Sequence, residues 1–209
     1  MNGNNTILNS FIVLEGLDGA GTTTQSRLLS KKFSAENIPC SITAEPTDLP
    51  SGRLIRDILS GRLQADPRTV ALLFAADRNE HLYGPGGGIA DTVSRGEWVI
   101  SDRYFFSSLA YQSVECGFSW VLELNNNFPL PQYLIYLDVP VGECRSRISG
   151  RDQEELYDPE DFQMKVSRGY EQVLTLYSGT AMKILRIDGL KPPETITDEI
   201  WSFLNIPPI

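Results

Sequence analysis

The sequence predicts an α/β fold: a doubly wound, five-stranded parallel sheet with helices on both faces. Short apolar segments of the kind that form buried parallel strands alternate along the chain with segments of helical periodicity. Such alternation is typical of sheets whose strands are connected by crossover helices. The 209 residues contain no evident linker or repeat, so residues 1–209 are predicted to form one domain with a full core.

Five segments are predicted as strands because each is a short apolar run that ends at a turn signal. The first runs into a glycine-rich turn, and Pro46 closes the second. The polar residues 1–10 are expected to form a loose arm before the first strand. The strands are FIVLE (11–15), CSITAE (40–45), WVIS (98–101), YLIYLDV (133–139) and KILRID (183–188).

Helices are predicted between the strands from periodicity and from their end signals. Glycines bound the second, and Pro67 stands near the start of the third, where proline is favoured. The polar, charged segment GRDQEELYDPED (150–161) is predicted to be a short mobile lid at about 149–161. The helical segments are about 23–35, 52–61, 67–82, a helix ending at 90–96, 103–115, 142–148, 160–177 and 194–204.

Composition excludes several functional classes. A net charge of −9 argues against nucleic acid or an anionic membrane as the main partner. No apolar run approaches the ~20 residues that a membrane span needs, and the first ten residues lack the features of a secretory signal. Three unpatterned cysteines predict no disulfide framework and fit a reducing cytoplasm. With His81 as the single histidine, a His-rich metal site and a Ser-His-Asp hydrolase are both implausible.

The segment GLDGAGTTTQ (16–25) resembles a phosphate-binding loop that lacks its lysine. Gly16, Gly21 and Thr23 occupy the expected positions, but Thr22 stands where the lysine belongs. The glycines let backbone N–H groups face an anion, and the following helix start adds partial positive charge. Thr23 is placed to ligate Mg²⁺. This context predicts a P-loop NTPase-type sheet.

The missing lysine leaves two interpretations open at this point. Loss of one charge-stabilising donor typically costs about 3–4 kcal/mol of transition-state stabilisation unless another cation replaces it. The loop is therefore either a phosphate site with a substitute cation or a tight glycine-rich turn without a ligand.

Asp102 and Arg103 follow the strand WVIS directly. Since the carboxyl ends of parallel strands meet at one edge of the sheet, both residues are expected beside the phosphate loop. The carboxylate suits Mg²⁺ or the attacking oxygen, and the guanidinium suits a phosphate. A capping aspartate with a surface arginine is the simpler alternative.

Five segments in order resemble the thymidylate kinase family, and together they extend over most of the chain. The resemblance implies a nucleoside monophosphate kinase domain that transfers phosphate from ATP to dTMP with Mg²⁺, supplies dTTP synthesis, and forms a homodimer. The segments are FIVLEGLDGAGTTTQ, EPTDLPSGRLIRDIL, LLFAADRNEHL, SDRYFFSSLAYQ and YLIYLDVPVGECRSRISGR.

The family's site residues carry over as implications of this resemblance. Phe74 would stack on thymine and Arg78 would hydrogen-bond its edge, while Tyr111 would disfavour a ribose 2′-hydroxyl. The implied dTMP-binding set is Asp18, Arg56, Phe74, Arg78, Arg103, Ser107, Ser108, Tyr111 and Gln112. The implied ATP-binding set is Gly16, Gly19, Ala20, Gly21, Thr22, Thr23, Thr24, Arg147 and Arg151, and the metal ligands are Thr23 and Asp102. The implied catalytic set is Asp18, Asp102, Arg103 and Arg151.

Three departures from the family pattern keep alternatives open. Ala44 replaces an arginine before Glu-Pro, Thr22 replaces the lysine, and Gly19 stands where some members have a loop arginine. Members without the loop arginine use basic lid residues, so Arg147 and Arg151 are expected to supply the missing charge. A nucleotide-binding homologue without catalysis and a kinase for another nucleotide remain as alternatives.

Overall fold

All five strands of the computed structural model, which describes residues 6–148, 157 and 159–206, lie in one parallel sheet. Its order is β2-β3-β1-β4-β5, so chain order reverses around the central strand β1. The predicted fold class is confirmed. The strands are β1 (Ile7–Gly16), β2 (Cys40–Ala44), β3 (Trp98–Asp102), β4 (Leu130–Asp138) and β5 (Lys183–Asp188).

Ten helices in the described part of the chain connect and cover these strands. The first five are α1 (Thr22–Ala35), α2 (Pro50–Leu59), α3 (Pro67–Tyr83), α4 (Ile89–Ser94) and α5 (Phe105–Tyr111). The others are α6 (Ser113–Cys116), α7 (Phe118–Asn125), α8 (Val141–Ile148), α9 (Glu160–Tyr177) and α10 (Pro193–Leu204). None of these helices is long and apolar enough to cross a bilayer.

The central strand shows why the sheet needs helices on both faces. Successive side chains of a strand point to opposite faces. Ile12 and Leu14 belong to one apolar cluster and Phe11 and Val13 to the other, and all four are fully buried. Both faces of β1 are therefore buried, which explains why its sequence is continuously apolar rather than alternating.

The carboxyl ends of β1, β2 and β3 meet at the point where the strand order reverses. Leu14 pairs with Asp102, and Ala44 pairs with the same aspartate from the other side. In open α/β sheets a ligand-binding crevice forms at such a switch point, outside the carboxyl ends of the strands. The register thus brings Asp102 next to the loop that follows β1.

Two stretches differ from the sequence-based expectation. β1 begins at Ile7, so the expected arm gives way to strand four residues before residue 11. Residues 103–115 form two short helices, α5 and α6, rather than one. Arg103 has φ +74°, which is incompatible with a helix, and its N–H donates to the Leu14 carbonyl at 2.9 Å. That bond holds the backbone to β1 after β3 has ended.

Helix α7 has no counterpart in the sequence-based prediction. It has eight residues and follows Gly117 at φ +85°. Its buried Val121 packs in the same cluster as Phe11, and Asn125 is buried at its end. Tertiary packing stabilises so short a helix, which by itself is too short to persist in water.

Candidate active site

The loop between β1 and α1 has the backbone of a phosphate cradle. Gly19 and Gly21 have φ +89° and +102°, a region open to glycine but strained for other residues. A Cβ on Gly19 would lie 2.5 Å from the Cys144 carbonyl oxygen, because α8 packs directly on the loop. Gly16 is packed almost as tightly, because a Cβ added there would lie 2.8 Å from the Cβ of Ala20.

The loop lines an open cleft of about 820 Å³. Of the predicted ATP-binding residues, Gly19, Ala20, Gly21, Thr22, Thr23, Thr24 and Arg147 line it, and Gly16 lies beneath the loop. The opposite wall is the β5–α10 turn, Gly189–Pro193, which the sequence analysis did not single out. No local signal marks this turn, since only the sheet order brings it next to the loop.

Thr22 is the first residue of α1, is buried, and lines the cleft without a charge. The described cations that line the same cleft are Arg56, Arg103, Arg147 and Lys191. The ammonium of Lys191 bonds both carboxylate oxygens of Glu199 at 2.8 Å, so its charge is already paired.

Arg147 extends from α8 across the mouth of the loop. Its Nη1 lies 3.5 Å from the Ala20 carbonyl oxygen, its Nη2 donates to Gly189 O at 3.2 Å, and its Nε pairs with Glu143 at 3.2 Å. These partners are carbonyls or a half-exposed carboxylate, so a phosphate can displace them. Arg151 and nearly all of the predicted lid, residues 149–156 and 158, lie outside the described residues.

Thr23 and Asp102 meet as their positions predicted. Thr23 Oγ1 donates to Asp102 Oδ2 at 2.5 Å, whereas Asp102 Oδ1 is buried without a hydrogen-bond partner among the described residues. An unpartnered buried carboxylate oxygen is costly unless a ligand or water satisfies it. A hydroxyl beside such an oxygen is a donor set that suits Mg²⁺, which takes one or two protein ligands and completes its shell from phosphates and water. The described residues contain no group of three or more His, Cys, Asp or Glu suited to hold a metal alone.

Asp18 and Arg103 form an ion pair at the inner end of the cleft. Arg103 Nη2 donates to Asp18 Oδ1 at 2.7 Å, and the Tyr111 hydroxyl donates to Asp18 Oδ2 at 3.0 Å. Arg103 Nη1 donates to Gly16 O at 2.9 Å and to the hydroxyls of Ser107 and Tyr170 at 3.0 and 3.1 Å. The guanidinium is thus fixed by the end of β1 and the loop after it, by α5 and by α9.

A second, smaller cavity of about 140 Å³ opens beside this ion pair. It shares Asp18, Glu45, Pro46 and Arg103 with the cleft, so the two spaces meet at the ion pair. Its remaining lining residues are Leu59, Phe74, Arg78, Tyr104, Ser107, Tyr111, Gln112 and Tyr157.

Arg78 is held at the cavity wall by a buried polar network. Its Nε and Nη2 donate to Glu45 Oε2 at 2.9 and 2.7 Å, and its other bonds go to Asn125 Oδ1 at 2.5 Å and Ser108 Oγ at 3.1 Å. His81 lies 3.2 Å from the other Glu45 oxygen. Within the described residues these bonds use four of the five guanidinium N–H groups, which leaves one Nη1–H for a ligand.

One predicted residue of the base pocket, Ser108, takes a different position from the rest. Ser108 does not line the cavity; its hydroxyl supports Arg78 from behind. Gln112 lines it, and its buried Oε1 has no partner among the described residues. Phe74 is half-buried with its side chain on the cavity, as a stacking residue requires.

Arg56 lies between the cleft and the Glu-Pro segment. Its guanidinium donates to the carbonyls of Thr47 and Pro46, and Asp48 lies 3.3 Å away. Asp77 of α3 fixes the same segment, since it accepts from the Thr47 N–H and the hydroxyls of Thr47 and Ser51. The segment holds Arg56 at the cleft wall, where a phosphate would lie.

The sequence analysis missed Tyr170, which bonds Arg103, and Gln163, which bonds Asp18. It also missed Glu15, whose carboxylate accepts from the Ser107 and Tyr170 hydroxyls. Gln163 donates to Asp18 Oδ2 at 3.3 Å and to Tyr157 O at 2.6 Å. A charged residue that ends an apolar strand was the available signal for Glu15. Tyr170 lies within the predicted helix 160–177, and periodicity cannot distinguish a core tyrosine from one whose hydroxyl reaches the site.

Burial and neighbouring charges change the protonation of this cluster. Burial raises the pKa of Glu15 to about 7, against the lowering effects of Arg103, Ser107, Tyr170 and Tyr104. Burial, together with the Asp18 carboxylate, raises the pKa of Tyr111, so it stays a neutral donor. Burial disfavours the charge of Arg103, but Tyr111, Asp18, Tyr170 and Glu15 outweigh that and raise its pKa.

Comparison with known proteins identifies one family. The family model described as thymidylate kinase matches residues 14–200. A Treponema pallidum (strain Nichols) protein, provisionally named a thymidylate kinase, is 44% identical over 204 residues, which cover 95% of this chain and 96% of that protein. A Thermococcus kodakarensis protein with a similar provisional name is 38% identical over 93% of this chain and 97% of its own.

A solved structure gives the same result for the fold. Thymidylate kinase from Candida albicans superposes with a TM-score of 0.77 at 25% identity, covering 93% of this chain and 90% of that chain.

Proposed function

The chain belongs to the thymidylate kinase family, and from this premise we propose that its site transfers the γ-phosphoryl group of ATP to dTMP, giving dTDP and ADP for dTTP synthesis. The observation that carries the proposal is the meeting of two cavities at one ion pair. The cleft beside the phosphate loop and the small cavity beside Phe74 share Asp18 and Arg103. A donor in the first and an acceptor in the second bring a phosphoryl group and a phosphate oxygen together at that junction.

The acceptor occupies the smaller cavity. Phe74 stacks on the base, and Arg78 offers its remaining N–H to a base acceptor. Tyr111 and Asp18 close the sugar end, where Ser107 and Gln112 complete the wall. Ser108 acts on the base through Arg78, which it supports.

Arg56 and Arg103 bind the acceptor phosphate from two sides. Both line the cleft, and each presents a planar guanidinium suited to phosphate oxygens. Asp18 accepts from Arg103 at 2.7 Å, which orients that guanidinium before the nucleotide arrives. Such preorganised charge needs no rearrangement when negative charge develops in the transition state.

The donor phosphates lie on the loop backbone and the N-terminus of α1. This helix has fourteen residues, no acidic residue in its first turn, and Gly21 at its N-cap without a side-chain cap. Its free N–H groups point to the cleft and favour an anion. Arg147 lines the cleft and reaches the Ala20 carbonyl of the loop, so it is our proposed replacement for the lysine, together with Arg151 of the lid segment.

The residues at Thr23 and Asp102 fit Mg²⁺. Thr23 Oγ1 and the unpartnered Asp102 Oδ1 would hold it. When bound, the ion supplies positive charge to the donor phosphates. The chain's own contribution there is to keep the hydroxyl and the carboxylate together at the end of β3.

The test is coupled ADP release with ATP and a panel of dTMP, dUMP, dGMP and UMP. The panel is broad because the Candida albicans structure is reported to reveal the origin of broad substrate specificity in that enzyme. We expect dTMP to give the highest kcat/KM. Calorimetric binding of dTMP without ADP release would instead identify a non-catalytic homologue, and a preference for another member of the panel would identify a kinase for that nucleotide.

Architecture and assembly complete the proposal. One sheet carries all five strands, which supports a single kinase domain over residues 1–209 with a lid at about 149–161. A homodimer is supported by the family resemblance and by two exposed leucines on adjacent helices, Leu54 of α2 and Leu72 of α3. Three free cysteines support a reducing cytoplasmic location, and the net charge of −9 supports nucleotides rather than nucleic acid as partners.

A further inference from the structure

Glu15 is a buried carboxylate that none of the roles above uses. It precedes the last residue of β1 and is 1% exposed. Burying a carboxylate is costly unless hydrogen bonds compensate for the lost water. Its partners therefore indicate what the residue does.

Four hydrogen bonds converge on this carboxylate from the start of α5 and from α9. Oε1 accepts from the backbone N–H groups of Tyr104 at 2.8 Å and Ser107 at 3.2 Å. Oε2 accepts from the hydroxyls of Ser107 at 2.5 Å and Tyr170 at 2.8 Å. No side chain at Tyr104 caps the N-terminus of α5. The Glu15 carboxylate on β1 takes that role, because it accepts from backbone N–H groups at the start of α5.

The two hydroxyls connect Glu15 to Arg103. A hydroxyl has one hydrogen and two lone pairs. When Ser107 and Tyr170 donate that hydrogen to Glu15, their lone pairs face Arg103 Nη1, which lies 3.0 and 3.1 Å away. The Gly16 carbonyl is a second acceptor for Tyr170 at 3.2 Å, but it is longer and uncharged.

Arg103 is thereby fixed on one side only. Nη1 is held by Gly16, Ser107 and Tyr170, and one Nη2 hydrogen goes to Asp18. Within the described residues, Nε–H and the second Nη2–H remain for a ligand at the junction of the two cavities. We propose that Glu15 is a positioning residue for phosphoryl transfer: it orients the Ser107 and Tyr170 hydroxyls so that they hold the Arg103 guanidinium facing the acceptor phosphate.

This inference rests on the proposed function, and Glu15→Gln tests it. The glutamine carbonyl can still accept from the two backbone N–H groups, but its amide N–H₂ faces the two hydroxyls as a donor. The two hydroxyls then lose the charged acceptor that orients them, and they donate to the Gly16 carbonyl, to each other or toward Arg103 Nη1, donor against donor. The substitution keeps the shape of the side chain and the cap of α5 while it removes the acceptor that sets the polarity Arg103 meets.

The experiment measures kcat and KM for dTMP and for ATP separately at about pH 8, above the pKa of Glu15. We expect Glu15→Gln to lower kcat/KM for dTMP by about tenfold or more, since bonds to charged groups are worth about that factor. The KM for ATP should stay within about twofold, because the substitution leaves the bond from Arg103 Nη1 to the Gly16 carbonyl of the loop in place. Calorimetry should show a matching loss of dTMP affinity.

Matched variants separate positioning from simple support of the fold. Tyr170→Phe deletes one link and keeps the carboxylate, so it should lower kcat/KM for dTMP even if Glu15→Gln fails to fold. Tyr133→Phe is the control: it also removes a buried tyrosine hydroxyl, bonded to Leu204 O at 2.7 Å, but it lines neither cavity. We expect the control to stay within about twofold of the parent protein.

Coupling to Arg103 supplies the decisive comparison. Arg103→Lys removes Nη1, so Glu15→Gln should have less than about a twofold further effect in that background. Additive effects, or a Tyr170→Phe variant that matches Tyr133→Phe, would overturn the inference while the proposed function stands. A parent protein that neither binds nor phosphorylates dTMP would overturn both.

Discussion

The donor cleft and the acceptor cavity are built on different principles. The cleft is open, about 820 Å³, and its loop presents backbone groups and small side chains. The cavity is about 140 Å³, and the charged side chains in its wall, buried or half-buried, bond one another. The backbone forms the donor site, and side chains form the acceptor site.

This difference indicates where each site can tolerate change. Loop backbone keeps its N–H groups whatever residue stands at position 22, so the cradle survives the loss of the lysine. The acceptor site depends on its side chains and has no comparable backbone contribution. Arg103, Asp18, Glu45 and Arg78 are each bonded to other buried groups, so removing one leaves a partner unsatisfied.

The strongest test of the contrast is Arg103→Ala. Arg103 lines both cavities and pairs with Asp18, so its loss removes phosphate binding and leaves a carboxylate unpaired. We expect kcat/KM for dTMP to fall by about 10²–10³-fold. Steady-state kinetics with a melting curve checks this, and a loss below about fivefold in a folded variant would contradict the junction model.

The next largest expected effect is the pH dependence of the free energy of unfolding, which comes from Glu15 beside the acceptor site. The folded pKa of Glu15, about 7, is above the ordinary value of 4.5, so the native state holds this proton more tightly than the unfolded state. Its contribution to stability is therefore greatest below about pH 4.5 and is lost as pH rises toward 7, by about 3 kcal/mol in all.

Glu15→Gln should remove this slope. Urea unfolding at a series of pH values measures it, with Tyr133→Phe as the variant that keeps the slope of the parent protein. Equal slopes in Glu15→Gln and the parent would show that Glu15 titrates normally.

On the donor side, Arg147→Ala sharpens the comparison with a smaller effect. Arg147 lies over the loop at Ala20 and Gly189. We expect about a tenfold loss in kcat/KM for ATP, with the KM for dTMP little changed. Arg145→Ala is the matched control on the same helix, because Arg145 pairs with Glu160 and does not line the cleft. Equal effects of the two variants would exclude a donor role for Arg147.

The smallest expected effect is that of Thr22→Lys. If Arg147 and Arg151 supply the charge, a lysine beside them adds little or crowds like charges. We expect kcat to change by less than about threefold. A gain above about tenfold in ATP-saturated turnover would mean that the donor site has no substitute cation.

The sequence by itself determined the fold class and the position of the loop that we propose binds the donor. The five strands, the helices between them and the loop are local patterns, since periodicity and turn residues act within a few positions. The position of Asp102 was predicted in the same way. The end of a parallel strand can be recognised from the local sequence, and all such ends meet at one edge of the sheet. Helix α9 and strand β5 were predicted to the residue.

The tertiary structure alone decided how the acceptor site is held. Glu15 meets Tyr170, 155 positions away, and Arg78 meets Glu45 and Asn125 from separate elements. Arg103 leaves the helical pattern because its backbone bonds β1 and its guanidinium bonds Asp18. Such contacts depend on the order in which strands pack, and no local pattern encodes that order; only folding brings these charges close enough to determine one another's orientation.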